Sequence, residues 1–559
     1  MTDVKHYEFK TRNHWWIDAG IAGLHNIAYT SGLDEQYKIR LEVSDSGLEV
    51  FYSEPDQLKQ FINACYEELA GRYWNVSTKN QIEEPKAVFY DSEQDMLLLR
   101  PKRKPTPIPD LFTKGSSWRL PHDDAGIAFD DLPSSMRARV EAFLKDNGVQ
   151  LWGSKKRILL KEAPVCHKAI DVFPQEKKNK SICSICGRKS SSCSSVSQPT
   201  FMLFASDSAT KCFNSQAGAP DKVCWECEML GRFAVDSAGY RKLFDDLFIL
   251  QVNSPNLSKL INANKRIGYA SLLRDVDTEN YLCNLRRDNG SLITYAKDSY
   301  EFLWSFFVQA FGIIKENQDT ENSSSLLDII FDFTLSKAPV NIILLVVNKK
   351  GQTFNTKELI FYNDVAYAFR LLNVLEEEKV DPRLLFNSLY VRDEDDRYSR
   401  FRNVFFKKVL LKRSVLLDCE GFASHLTMTG KGPYLHEILR FLVKYEPSIG
   451  GIKMTPQEVE VAVNLGKSIV LQAREKLDND EIKKIKGDLF TLRKSRSKGD
   501  FLNSLNTLQM RYGLILSHMI EDGILEGVPF EEFKAYCIIG ALNTFNGISR
   551  PKKIEGGNN

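Results

Sequence analysis

Apolar and polar residues alternate over residues 38–43 and again over residues 48–52, on either side of Ser44-Asp-Ser-Gly47. Period-2 alternation across such a turn predicts a β-hairpin. Leu58, Phe61, Ile62, Cys65, Leu69 and Tyr73 then recur at helical spacing, predicting a helix over residues 57–73 with one buried stripe. The apolar runs 87–90 and 96–99 flank a turn-like segment and predict a second hairpin. A helix over 132–147 and a strand over 157–160 follow. The runs 341–347 and 358–362, around Asn348-Lys-Lys-Gly351, predict another hairpin, and from Asp364 onward the pattern is almost wholly helical.

The last hundred residues carry the plainest start signals. Thr455-Pro456-Gln457-Glu458 reads as a capping box with proline at the first helical position. Val459, Ala462, Val463, Gly466, Ile469, Val470 and Ala473 then form one stripe. Asp500 is expected to cap a helix carrying Leu502, Leu505, Leu508, Tyr512, Leu516 and Met519. Pro529, with Glu531 and Glu532 in the first turn, opens a last helix. Gly450-Gly451 reads as a boundary before this bundle. Four prolines in residues 100–109 forbid a helix and favour an extended segment. The Ser-rich stretch 187–199 reads as a flexible excursion, and 316–325 as a polar loop.

The predicted fold class is therefore α+β. A mixed N-terminal domain with β-hairpins (1–160) is followed by a cysteine-rich knuckle region (161–240). A mixed, then helical, domain (241–449) leads to an all-α C-terminal bundle (450–549) and a tail (550–559). With 559 residues, more than one domain is expected. Hydrophobic residues at 43% and charged residues at 26% are the balance of a soluble globular chain. Lys+Arg 75 against Asp+Glu 73 gives a net charge of +2, which excludes a uniformly basic protein wrapped in nucleic acid. Any nucleic-acid contact must use local patches. Residues 1–16 are polar and mixed in charge, and the best apolar run, 341–347, is too short for a bilayer. A cytoplasmic protein with no membrane partner is expected.

Eleven cysteines in such a chain predict reduced thiols. Cys65, Cys166, Cys283, Cys419 and Cys537 are scattered, and the other six fall between Cys183 and Cys227. Cys183-Ser-Ile-Cys186 and Cys224-Trp-Glu-Cys227 are two CxxC knuckles separated by 37 residues. Each CxxC turn presents two thiolates to one metal, and two turns complete a tetrahedral site. Gly187, directly after the first knuckle, suits the positive φ such turns need. Cys183, Cys186, Cys224 and Cys227 are thus predicted to hold a structural zinc ion, with Cys193 and Cys212 as spare candidates. Four thiolates leave no open position for catalysis.

Arg100, Lys102, Arg103 and Lys104 form a basic tract that could track a phosphate backbone or simply be a solvated linker. Lys483, Lys484, Lys486, Arg493, Lys494, Arg496 and Lys498 are opposed in sequence only by Asp488 and could line an electrostatic groove or a solvated helix face. Enzyme signatures are missing: there is no phosphate-binding glycine loop, no HExxH and no GxSxG. His122-Asp123-Asp124 reads as a capping or turn element. Arg392-Asp-Glu-Asp-Asp-Arg397 reads as an exposed turn whose arginines offset its acids. No catalytic residues are predicted.

With the knuckles, the aromatic N-terminus and the helical C-terminal bundle together, the chain resembles the large subunit of a type I CRISPR Cascade surveillance complex, most like subtype I-B (the eighth Cas family). The residues carrying this are Trp15-Trp-Ile-Asp-Ala-Gly-Ile-Ala-Gly-Leu24, the two CxxC pairs, and Leu230-Gly231 after the second. The resemblance implies a subunit at the 5′-handle end of the crRNA, beside the Cascade backbone subunits. It implies reading of the protospacer-adjacent motif in duplex DNA, help in opening it, stabilisation of the displaced single strand in the R-loop, and recruitment of the helicase-nuclease. Duplex contact is then expected at two N-terminal loops, around Asn75, Ser77, Lys79 and Asn80 and around Lys114 and Ser116. A C-terminal bundle resembling the small subunit is also implied, and Met454, directly before the capping box, could start a separately made copy. The alternative is a stand-alone zinc-knuckle nucleic-acid-binding regulator.

Overall fold

The computed structural model describes residues 5–73, 86–91, 94–101, 126–151, 157–160, 172–174, 180–196, 200–201, 203, 222–243, 246–266, 284–286, 292–318, 339–350, 353–432, 435–451, 453–477, 482–516 and 524–548. The fold is α+β, as its hydrophobic patterning predicts. Its contacts divide it into two units: Met1–Leu282 with Ile313–Val365, and Cys283–Gly312 with Ala366–Asn559.

In the first unit, β1 (Lys5–Lys10) leads into α1 (Trp15–Thr30). β2 (Arg40–Val43) and β3 (Gly47–Tyr52) form the predicted hairpin, and β3 lies between β1 and β2, antiparallel to both. α2 (Pro55–Tyr73) buries Leu58, Phe61, Ile62, Cys65 and Leu69, the stripe read from the sequence. α1 is buried on nearly every side, from Trp16 through Leu24, so it is a central rather than an amphipathic surface helix. β4 (Lys86–Asp91) pairs with β5 (Met96–Pro101) as predicted, and β6 (Gly126–Ala128) and β7 (Arg157–Leu160) complete a sheet of order β5-β4-β7-β6. Val88 and Leu97 of that sheet, with Val140 of α3 (Ser134–Asn147), make a small core of their own.

The Ser-rich stretch is not simply an excursion. Within it, β9 (Lys189–Ser190) pairs with β8 (Ser181–Ile182), and β10 (Cys193–Ser195) pairs with β11 (Lys222–Cys224). Strands of two or three residues are too short for hydrophobic alternation to announce them. β11 runs directly into α4 (Trp225–Phe233). β12 (Ala238–Leu243), β13 (Asp246–Asn253), β14 (Asn341–Lys350) and β15 (Thr353–Tyr362) form an antiparallel sheet in that order, and α5 (Leu257–Arg266) follows β13 in sequence. Phe9, Trp16, Phe61, Phe233, Ile249 and Leu345 share one core with Cys183, Cys224 and Cys227. The cysteine region is therefore built into the middle of this unit.

The second unit is mainly helical. α6 (Ser299–Gln318) stacks Trp304 on Phe406 of α9 (Phe401–Leu410) with ring centroids 4.7 Å apart, and sets Phe307 edge-on to Phe369 of α7 (Val365–Glu377). Glu301 and Arg402 form a buried ion pair at 2.7 Å, with Arg402 lying over Phe386 of α8 (Pro382–Ser388). The acidic turn 392–397 is closed by partners from this unit: Lys431 reaches Asp393 at 3.0 Å and Asp396 at 2.7 Å, and His425 lies 3.1 Å from Asp396. The flanking arginines are thus not its main counter-charges.

α10 (Leu416–Met428) and α11 (His436–Ser448) precede Gly450, whose φ is +63°. α12 (Pro456–Lys476) begins with the predicted capping box, both of its hydrogen bonds formed. α13 (Ile482–Arg493) is followed by α14 (Lys498–Tyr512), whose N-cap is Ser497; Asp500 is the third-position partner of that box rather than the cap. Gly513, at φ +68°, ends α14, so Leu516 falls beyond it, and Leu502 is 37% exposed. Met519 lies outside the described residues. α15 (Phe530–Ile548) packs backbone to backbone on α12, because Gly466 faces Cys537 and Gly540 faces Val463.

The helices before and after Gly450 are bonded together. Tyr536 donates to the Leu442 carbonyl at 3.2 Å, Asn546 Nδ2 donates to Thr427 Oγ1 at 3.1 Å, and Met454 is itself buried. A product beginning at Met454 would lack α10 and α11 and would uncover this side of α15.

Candidate metal centre

The first cysteine pair sits in the turn between β8 and β9. The Cys183 N–H donates to the Arg188 carbonyl and the Gly187 N–H donates to the Cys183 carbonyl, both at 2.9 Å. Gly187 has φ +71°, and nothing lies within 4 Å of where its Cβ would stand. The turn therefore requires glycine for its backbone conformation, not for space. The Ser184 N–H donates to the Lys222 carbonyl at 2.8 Å, which ties this turn to β11. Cys224 ends β11 as the N-cap of α4, and Cys227 follows in the first helical turn. That end of the helix favours negative charge.

The four Sγ atoms all lie within 4.8 Å of one another, and Cys186 and Cys224 are 3.8 Å apart. Cys183, Cys224 and Cys227 are buried and Cys186 is half-buried. Hydrogen bonds from Cys186, Cys224 and Cys227 favour the thiolate at Cys183, and that same thiolate pushes the Cys224 and Cys227 thiols up. Four thiolates cannot share this space alone. A cation at their centre removes the conflict, so the donor set fits one tetrahedrally bound metal ion. Cys193 stands opposite Cys224 in the β10–β11 register, but its thiol donates to the Ser190 and Ser181 carbonyls, at 3.7 and 3.9 Å, and it is not one of the clustered four. Cys212 lies outside the described residues.

The surroundings carry charges that spacing does not reveal. Glu226, between the two cysteines of the second knuckle, is buried and accepts from Arg12, while Arg188 lies 3.2 Å from its other oxygen. Burial pushes the Glu226 carboxyl up and Arg12 pulls it back. Arg12 is also within electrostatic reach of Cys227 and Cys186. Asp18, in the first turn of α1, accepts the backbone N–H groups of Arg12 at 2.7 Å and His14 at 3.0 Å. Burial pushes its carboxyl up to about 6, although those hydrogen bonds favour the charged form.

α1 is locked to α4 at close range. Trp16 Nε1 donates to the Gly231 carbonyl at 2.8 Å. A Cβ at Gly20 would stand 1.9 Å from the Leu230 carbonyl oxygen, and one at Gly23 would stand 2.1 Å from that of Phe233. Gly231 in turn faces the Thr200 carbonyl. Arg232 donates to Tyr66 of α2 and, at 2.5 Å, to Glu228. Small residues three apart on an apolar helix were the available signal for this approach.

The other predicted contact residues are distributed as follows. Asn75, Ser77, Lys79, Asn80, Lys102, Arg103, Lys104, Lys114, Ser116 and the turn at His122 lie outside the described residues. Arg100 lies in β5, its backbone opposite Ala87. Lys483, Lys484, Lys486 and Arg493 lie on α13, and Lys498 opens α14. Arg493 makes a two-pronged ion pair with Glu420 at 2.5 and 3.1 Å, and Lys486 donates to the Met428 carbonyl at 3.0 Å. Lys484, Lys494 and Arg496 are exposed. Asp488 faces Arg511, at 2.5 Å, and Tyr512 instead of the lysines beside it. No described helix is long and apolar enough to cross a membrane. Neither a scan of protein-family models nor a search of curated proteins finds a match to the chain.

Proposed function

We propose that the chain is the large subunit of a type I CRISPR Cascade complex, most like subtype I-B, built around a structural zinc ion. One observation carries this reading. The two sequence blocks behind the family resemblance, Trp15–Leu24 and the second knuckle with Leu230-Gly231, are about 200 residues apart in sequence, yet pack as one piece through Gly20, Gly23 and Trp16. Zinc is favoured because four thiolates close the coordination shell and leave no site for substrate. In this role the crRNA reads the target by pairing, and the protein reads a short adjacent motif and the shape of the duplex. A net charge of +2 with separate basic stretches supports contacts to duplex, 5′ handle and displaced strand at different places.

The contacts can be tested on the assembled particle. Neutralising Arg100, Lys102, Arg103 and Lys104 together is expected to weaken binding equally for all sequences. The slope of log K against log salt should shrink by about 3.6, at roughly 0.9 for each of the four phosphate contacts. Lys79→Ala with Lys114→Ala is expected to weaken motif-bearing duplex more than scrambled duplex. Titrations by fluorescence anisotropy read both effects. An unchanged salt slope returns the basic tract to a linker, and an equal loss for both duplexes removes the two loops from motif reading.

A further inference from the structure

The second unit contains a cleft of about 640 Å³ between the end of α8, the turn after it, the end of α10 and the start of α11. Its walls are apolar at Leu384, Tyr390 and Leu426, and polar at Asn387, Arg392 and Glu437; Asp393 and Lys431 also line it, but they neutralise each other as an ion pair at 3.0 Å. Glu437 is only 6% exposed, and its Oε2 has no hydrogen-bond partner among the described residues. Arg440 approaches only the other oxygen, Oε1, at 3.7 Å. A buried carboxylate oxygen without a donor is costly, and a ligand N–H would remove that cost. At the opposite chemical extreme, Arg392 is exposed and makes no ion pair with any described residue.

We infer that this cleft binds a guanine nucleotide, with Glu437 accepting N–H donors of the base, Leu384, Tyr390 and Leu426 walling it, and Arg392 meeting the phosphate. The volume belongs to the size class of sites for such ligands. A purely cationic ligand would satisfy Glu437 but be repelled by Arg392. A purely anionic ligand would leave Glu437 unpaired. The ligand must donate N–H at one end, carry negative charge at the other, and be apolar across its faces. A guanine presents its N1–H and N2–H on one edge, the pattern a carboxylate accepts, and Asn387 supplies an amide that can both donate and accept. The same chemistry can come from a free nucleotide or from an unstacked residue in a single strand, whose base is read by its pairing edge. The inference rests on the cleft alone and does not require the functional reading above.

The test uses the full zinc-loaded chain and isothermal titration with GMP, guanosine, UMP and an oligothymidylate carrying a single dG. GMP is expected to bind, and UMP to bind at least tenfold more weakly. Glu437→Gln should weaken GMP at least tenfold without lowering the melting temperature, because the amide is isosteric. Arg392→Ala should weaken GMP about fivefold and leave guanosine unchanged. Tighter binding of the dG oligonucleotide than of GMP assigns the cleft to a strand, and the reverse assigns it to a free nucleotide. Absence of GMP and oligonucleotide binding at millimolar concentration, or indifference to Glu437→Gln, overturns the inference, whatever particle the chain is found in.

Discussion

Cys227→Ser is expected to abolish metal binding and unfold the first unit. Cys227 is fully buried, stands in the first turn of α4 and shares a core with α1, α2 and β13. Structural zinc sites contribute apparent binding free energies of about 10 kcal/mol or more at neutral pH, and that energy is folding energy where no site exists in the unfolded chain. A domain's net stability is smaller, about 5–15 kcal/mol, so losing the metal cannot be absorbed. The parent should carry about one zinc per chain by elemental analysis, and chelation should lower its melting temperature steeply. Cys193→Ser is the matched control, since its Sγ is outside the four-sulfur cluster, and it should keep the metal. A Cys227→Ser chain that melts with the parent, or a Cys193→Ser chain that loses its metal, would show that the ligand set is wrong.

Gly20→Ala is the second change with a large expected effect. The new Cβ would stand 1.9 Å from a backbone oxygen of α4, which has no rotamer by which to move aside. The helices must separate, opening the core around Trp16 and shifting the helix that carries Cys227. Overpacking typically costs about 1–3 kcal/mol, and a clash with rigid backbone should reach or exceed the upper end. Gly312→Ala is the control, because nothing lies within 4 Å of its Cβ position and it sits within α6. It should change stability by less than about 0.5 kcal/mol or raise it slightly. Denaturant unfolding followed by tryptophan fluorescence distinguishes the two, and equal midpoints would contradict the close packing of α1 on α4.

Local order was readable where a period or a cap announced it. The β2–β3 hairpin follows from alternation, the β14–β15 hairpin from two apolar runs around a polar turn, and α12 from Thr455 and Glu458. The clustering of the four cysteines and the place of Gly187 follow from CxxC spacing and the conformation a knuckle turn needs. What spacing could not supply was the partner of each surface. Gly20 and Gly23, small residues three apart, signal a close approach but do not name the helix about 210 residues later in sequence that makes it. Nothing in the spacing singles out Arg12 or Glu226, yet they form an ion pair beside the sulfurs. Arg493 reads as part of a basic run, yet Glu420 occupies it. β9 and β10 were hidden by length, since two or three serine-rich residues have no pattern to read. For the glycines and the ion pairs the missing information is long-range contact, which one strand or helix does not encode by itself.

The most direct measurement of the functional reading is purification of the tagged full chain from cells that express it with its neighbouring genes, followed by mass spectrometry and RNA sequencing. The chain is expected to co-elute with several copies of a backbone subunit and with short RNAs sharing one constant 5′ handle. Elution of a zinc-loaded, folded chain without those proteins and without such RNA would contradict the assignment to a Cascade complex.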